Sequence, residues 1–311
     1  MKNSAEIAWD VTERIVKLLE GGNLGSWIKP WVSFGAPRNM SNQRPYSGFV
    51  NQMLLAATMA EKGYAFPLWA TYKQISEMGG QVKHGERATQ VVFFKPLPAK
   101  GKKPDIESEE MATEVDDKDR KRTFLYLQYY HVFNLVQTDL DVQEVCARSN
   151  IRLRETASIE QIEAFILASG VRITYGFDQA SYVPARDQVK MPIQEAFISD
   201  EAYYAAILHE LCHATGHGSR LDRDLTGEFG SPAYAKEELI AELGSAFLAS
   251  HLGLETNLQH PQYLASWLSV LKADPREIFR VAGKARQAMD YLVARYEQQV
   301  IKPDNSLLHV S

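Results

Sequence analysis

The sequence predicts an α+β protein of two modules: a small α+β module first, then a mainly helical module with a short sheet. Three observations predict this. A length of 311 residues is enough for two cores. The first half holds short aromatic and β-branched runs, whereas the second half repeats apolar residues every three or four positions. Charge is divided as well: residues 1–95 carry 11 Lys/Arg against 7 Asp/Glu, although the whole chain has a net charge of −5. The boundaries expected from these shifts are 1–140 and 150–311, with 141–149 as part of the connection.

The first module opens on a helix. Ile7, Val11, Ile15 and Leu18 recur at helical spacing among charges over 5–19, and Gly21-Gly22 ends the run. A Trp/Pro-rich segment and a polar turn through Arg38–Gly48 follow, then a helical stretch over 49–62. Val91–Phe94 and Phe124–Phe133 read as two strands of a hairpin. Between them, 96–123 holds 15 charges in 28 residues and no aromatic, which predicts a mobile loop.

In the second module, 158–169 reads as a helix and 171–175 as a strand. The segment from Tyr182 to Pro192 carries Pro184 and Pro192 and suits a sheet edge, either as a plain hairpin or as a place where extended substrate could pair. Ser199-Asp200-Glu201 gives a cap and an acidic first turn to a helix that runs to Thr215. Ser231-Pro232 starts the next one, with Leu239, Leu243 and Phe247 as its apolar stripe. Further helices cover 261–273 and 275–299.

The motif helix carries the chemistry. His209 and His213 are four apart, so both rings point the same way and can hold one metal ion. Glu210 then lies beside that metal. This is the HExxH arrangement of zinc peptidases, which predicts a Zn2+ cofactor, or another divalent metal, and Glu210 as the general base. A third ligand is required, and Glu238 and Glu242 share one face of the following helix. We assign Glu238 as the ligand and Glu242 as the carboxylate that orients a histidine ring; the reverse assignment stays open. His217, Tyr234 and Tyr263 are candidate donors to an oxyanion, and Cys212 reads as a small buried residue on another face.

The first module is suited to nucleic acid. Residues 26–95 hold 8 basic and 3 acidic residues interleaved with 11 aromatics. Cations can follow phosphates while rings stack on unpaired bases. Candidate contacts are Trp27, Lys29, Trp31, Arg38, Arg44, Tyr46, Trp69, Lys73 and Lys83. Phe93 and Phe94 are expected in the core.

Other classes are excluded on composition. Two distant cysteines, Cys146 and Cys212, do not make a disulfide framework and fit a reducing compartment. The N-terminus lacks a signal-peptide layout, and no apolar run reaches membrane-spanning length. A cytoplasmic protein without a membrane partner is expected.

With these residues in view, the chain resembles the ArdC family of antirestriction proteins, carried by conjugative plasmids and related to the N-terminal parts of TraC-type primases. The resemblance rests on Trp27-Ile28-Lys29-Pro30-Trp31, Pro45–Asn51, Pro67–Gln74 and Val82–Glu86 in the first module. In the second it rests on His209–His217, Glu237–Leu243 and the stretch from Trp267 to Lys272. It implies an N-terminal domain that binds single-stranded DNA and a zincin-like metallopeptidase domain similar to SprT/Spartan-type proteases. It further implies protection of incoming plasmid DNA from host restriction, with transfer to the recipient cell alongside that DNA. Spartan-like proteases take a third histidine after HExxH, whereas this chain offers glutamates. Two other functions fit the same residues: a protease acting on DNA-bound proteins such as restriction enzymes, and a non-enzymatic single-stranded-DNA shield whose metal is structural. No peptide substrate is legible.

Overall fold

The structure, a computed structural model, describes residues 3–20, 36–96, 125–149, 157–254 and 264–301. The chain divides into two compact units. The first is built on Ala36–Arg152, the first helix and the stretch Leu271–Ile278; the second is built on Leu153–Val270 and the chain from Phe279 onward.

Helix α1 (Ser4–Glu20) buries Ile7, Val11 and Ile15, the stripe expected from their spacing. It lies on strand β4 (Leu125–Asn134): the Leu127 N–H donates to Ser4 Oγ at 3.1 Å and the Tyr129 hydroxyl donates to Asp10 at 2.8 Å. With β1 (Arg38–Asn39), β2 (Leu68–Thr71) and β3 (Thr89–Pro96), β4 makes a sheet of order β1-β2-β4-β3. The β1–β2 pair is parallel and the other pairs are antiparallel. β3 and β4 pair from Thr89↔Val132 to Pro96↔Leu125, so the two expected strands form a hairpin. The charged loop expected at 96–123 lies almost wholly outside the described residues.

Successive residues of β2 point to opposite faces and feed two cores. Trp69 joins Leu55, Met59, Val91 and Val132, while Leu68 and Ala70 join Met40, Ile75, Leu135 and Val145. Leu55 and Met59 come from α2 (Phe49–Lys62), whose residues from Phe49 to Met59 are all buried. Gly63 ends α2 with φ at 65°, a left-handed position that glycine takes without strain. Asn51 of α2 has a further role. β3 is an edge strand, and its Val92 N–H donates to Asn51 Oδ1 at 2.8 Å while Asn51 Nδ2 donates to the Val92 carbonyl at 2.7 Å. One buried amide therefore supplies the neighbour that the edge lacks. Helix α3 (Tyr72–Glu77) starts with a Thr71/Gln74 capping box, and α4 (Val142–Ser149) closes this part of the chain.

The second unit has a sheet of β5 (Arg172–Tyr175), β6 (Ser181–Val183) and β7 (Gln188–Met191), in the order β5-β7-β6. The strand that Pro184 and Pro192 bracket, β7, is the central one and not the expected edge; the edge is β6, just before Pro184, antiparallel to β7, and the turn between them places Asp187 at φ 46°. The helices described in this half of the chain are α5 (Ile159–Ala168), the motif helix α6 (Asp200–Ala214), α7 (Pro232–His251), α8 (Leu264–Ala273) and α9 (Glu277–Ile301). The expected caps are present: Ser199 Oγ accepts from Ala202 N–H, and Ser231 Oγ accepts from Tyr234 N–H with Pro232 at the first helical turn. α6 and α7 cross closely because Gly244 lacks a side chain; a Cβ there would stand 2.9 Å from Cys212 Sγ. The molecule is thus the mixed, mainly helical protein with two small sheets that the sequence predicted.

Candidate metal centre

Four-residue spacing on α6 brings His209 and His213 together, with their Nε2 atoms 3.1 Å apart. α7 brings Glu238 to the same point: one oxygen lies 3.5 Å from His209 Nε2 and the other 3.5 Å from His213 Nε2. Zinc–ligand bonds of about 2.0–2.1 Å in a tetrahedron hold ligand atoms about 3.3–3.4 Å apart. The two nitrogens and the Glu238 carboxylate thus stand close to the spacing one cation requires, with one ligand atom from each residue within 4.8 Å of the others, and two imidazoles with a carboxylate suit a divalent cation.

Each ring is backed by a carboxylate. Glu242 has an oxygen 3.6 Å from His209 Nδ1. Glu237 has an oxygen 3.2 Å from His213 Nδ1, and Arg223 grips that carboxylate with Nη2 at 2.6 Å and Nε at 3.0 Å. The sequence reading missed Glu237 and Arg223. The Glu-Glu pair in α7 was a signal, since adjacent helical positions face two sides of one site; Arg223 offered none.

Electrostatics match a cation site. Burial alone would push the His213 imidazole down, but Glu237 and Glu238 outweigh it and hold its pKa up to about 10. Burial drives His209 down to about 4, against the pull of Glu238. The Glu238 carboxyl sits well below its usual range despite its burial, because both histidines face it. The same carboxylates that would attract a cation favour a second proton on His213. A cation must displace that proton, while His209 is already neutral above its depressed pKa. Metal affinity is therefore expected to rise about tenfold per pH unit from roughly pH 6 to 9 and to level off above pH 10, with about one proton released. Titration calorimetry in buffers of different ionisation enthalpy checks this; a pH-independent affinity contradicts it.

Glu210 is buried beside the histidines and accepts the Tyr182 N–H of edge strand β6 at 2.6 Å. A cavity of about 280 Å³ opens here, lined by Tyr182, His209, Glu210, His213, Tyr234 and Glu238 among others. Of the candidate oxyanion donors, Tyr234 faces this cavity. His217 Nδ1 instead meets Ser219 Oγ at 2.8 Å, and Tyr263 lies outside the described residues.

The nucleic-acid candidates fare unevenly. Trp27, Lys29 and Trp31 lie outside the described residues. Arg38, Arg44 and Tyr46 share one turn, where the Asn39 N–H donates to the Arg44 carbonyl. Arg44 is exposed and Arg38 half-buried; Tyr46 is half-buried, with its hydroxyl donating to the Trp69 carbonyl at 3.3 Å. Lys73 is exposed beside Glu77, and exposed Lys83 donates to the Val136 carbonyl at 2.9 Å. Two expectations need correction. Trp69 is 0% exposed, packed edge-on to Tyr64 under α2, so it is a core residue and no stacking surface. Phe93 is 50% exposed, not buried, and forms a T-shaped pair with Tyr130, itself 37% exposed. Both follow from strand position: β2 is central beneath a helix, whereas Phe93 lies on the edge strand, one step beyond the covered Val91.

Paired helical imidazoles, a glutamate from the next helix, a buried carboxylate beside them and a small edge-strand sheet define a zincin-like metal-site domain. Residues 160–284 match the family described as a zincin-like metallopeptidase, and residues 5–133 match the N-terminal domain of anti-restriction factor ArdC. The chain belongs to the ArdC family of antirestriction proteins. It is similar to crystal structures of the antirestriction protein ArdC from the R388 plasmid. The metal-free form is 37% identical and the Mn(II)-bound form 36%, each with a TM-score of 0.73. The matches cover 94% and 93% of this chain and 98% and 97% of theirs. An uncharacterized protein, y4eC, of Sinorhizobium fredii is 37% identical over 92% of this chain and 91% of its own. A DNA primase TraC of Escherichia coli is 36% identical over 93% of this chain, which spans 27% of that primase. No helix among the described residues is long and apolar enough to cross a membrane.

Proposed function

We propose that this protein is a plasmid-type antirestriction protein that binds single-stranded DNA through its N-terminal module. Its second unit carries a zinc metallopeptidase-like site, and together they protect incoming conjugative DNA from host restriction. The observation that carries the enzymatic half is the meeting of His209, His213 and Glu238 beside the Glu210 carboxylate in one cavity. In this reading His209, His213 and Glu238 hold Zn2+ and Glu242 orients His209. Zinc supplies Lewis acidity, which makes a neighbouring water acidic near neutral pH and polarises a carbonyl. Glu210 takes the water proton and returns it to the leaving amine, its carboxylate held in place by the Tyr182 N–H. Tyr234 is the donor to the developing oxyanion.

For the DNA half, exposed Arg44, Lys73 and Lys83 follow phosphates, with Arg38, Lys29 and the Trp27–Trp31 segment as further contacts. Phe93 and Tyr130 provide rings for bases. Stacking is worth about 1–3 kcal/mol per base. Phe93→Ala with Tyr130→Ala, which together remove the stacking of one base, is therefore expected to weaken single-stranded binding roughly 5- to 150-fold, and duplex binding much less. Gel shifts with single- and double-stranded oligonucleotides across a salt series test it; equal wild-type affinity for both strands removes the stacking argument. Glu210→Ala separates the two halves. If DNA binding and protection survive it, peptidase chemistry is dispensable to the shield. If instead wild-type protein cleaves DNA-bound restriction enzymes and the variant does not, proteolysis is the protective act.

A further inference from the structure

Arg220 and Arg223 stand three residues apart in the stretch after α6, and both close the open C-terminal end of that helix. Arg220 Nε donates to the Ala214 carbonyl at 2.7 Å, and Arg223 Nη2 donates to the Cys212 carbonyl at 2.8 Å. Beyond the helix end they diverge. Arg220 reaches Asp187 and the Tyr182 hydroxyl at the β6–β7 turn. Arg223 donates to the Thr215 hydroxyl at 2.8 Å and holds both oxygens of Glu237, whose Oε1 faces His213 Nδ1. Its side chain is 4% exposed. Gly216 makes the room: a Cβ there would stand 3.0 Å from Arg223 Nη2 and 2.9 Å from Leu225.

Stability does not explain such a pair, because desolvating two charges cancels most of their attraction. Its position does. We propose that Arg223 and Glu237 are positioning residues for the metal: Arg223 fixes Glu237, and Glu237 fixes the proton of His213 on Nδ1 so that Nε2 faces the cation. The same link ties Asp224, Leu225 and Gly227, which line the cavity, to a metal ligand. A carboxylate that orients a ligating histidine raises metal affinity by about 10- to 100-fold. The proposal rests on the metal-site reading above.

The opposite outcome is physically reasonable, which makes the sign decisive. Arg223 is a cation near the site, and were Coulomb repulsion its main effect, removing it would tighten metal binding. The experiment is Zn2+ and Mn2+ titration of the full chain, following binding directly, for wild type, Glu237→Gln, Glu237→Ala, Arg223→Lys, Arg223→Ala and the double alanine variant. Glu237→Ala is expected to weaken binding by about 10- to 100-fold, and Glu237→Gln by less, since its amide oxygen still accepts from Nδ1. Arg223→Ala weakens binding too, and the double variant is no weaker than Glu237→Ala, because Arg223 acts through Glu237. Arg220→Ala, an equally placed helix clasp that does not touch Glu237, leaves the affinity within about threefold. Should either alanine variant unfold, Glu237→Gln and Arg223→Lys carry the comparison, with circular dichroism confirming their fold. Unchanged or tighter binding in the Arg223 variants, or losses that add in the double variant, overturns the proposal while leaving the metal site standing. A wild-type chain that binds neither ion overturns both.

Discussion

Glu238→Ala is expected to lower divalent-metal affinity by about 10²- to 10³-fold, and Glu242→Ala by about ten- to a hundredfold. The first figure comes from sharing the roughly 10–16 kcal/mol of a structural zinc site among its ligands, about 3–4 kcal/mol each, at 1.4 kcal/mol per tenfold. The second is the usual effect of a residue that orients a ligand. The geometry places Glu238 between the two Nε2 atoms and Glu242 against the far nitrogen of His209. Competition against a chelator of known affinity measures both variants. If Glu242→Ala has the larger effect, the two carboxylates exchange roles.

The second large effect concerns Trp69. Trp69→Ala is expected to destabilise the first unit by about 3–5 kcal/mol, because a fully buried indole between α2 and the sheet leaves a cavity that cannot collapse. Against a total of about 5–15 kcal/mol, that is enough to unfold a marginal domain. Trp69→Phe keeps most of the packing and should bind single-stranded DNA within about twofold of wild type. Urea denaturation and a gel shift on the same samples decide the matter. A Phe variant of normal stability that has lost DNA affinity would return Trp69 to the interface.

How much of this was legible depended on how local the signal was. The helices carrying the candidate metal centre could be read, since Ser199 and Ser231-Pro232 mark their starts and four-residue spacing fixes which side chains share a face. The hairpin strands could be read from their aromatic and β-branched runs. Burial inside the first unit could not. Trp69 and Phe93 look alike as aromatic residues in strands, and sheet order alone decides that one is central and the other at an edge. Sheet order depends on pairings between distant segments, such as Trp69 with Asn134. The same holds for Arg223, whose partner Glu237 lies 14 residues on, across the start of a new helix. Asn51 reads as an unremarkable polar residue in a helix, and its pairing with Val92 spans 41 positions.

The tight crossing of α6 and α7 has a chemical corollary. Cys212 is sealed beneath Gly244 at 0% exposure, and burial pushes its thiol pKa upward, so little thiolate forms and no reagent reaches it. Cys146 is partly accessible. A maleimide should therefore modify the folded chain once, at Cys146, and take a second equivalent only when the two helices separate. The rate of that second alkylation would serve as a clock for separation of α6 from α7, and a divalent ion bound at the candidate site should slow it.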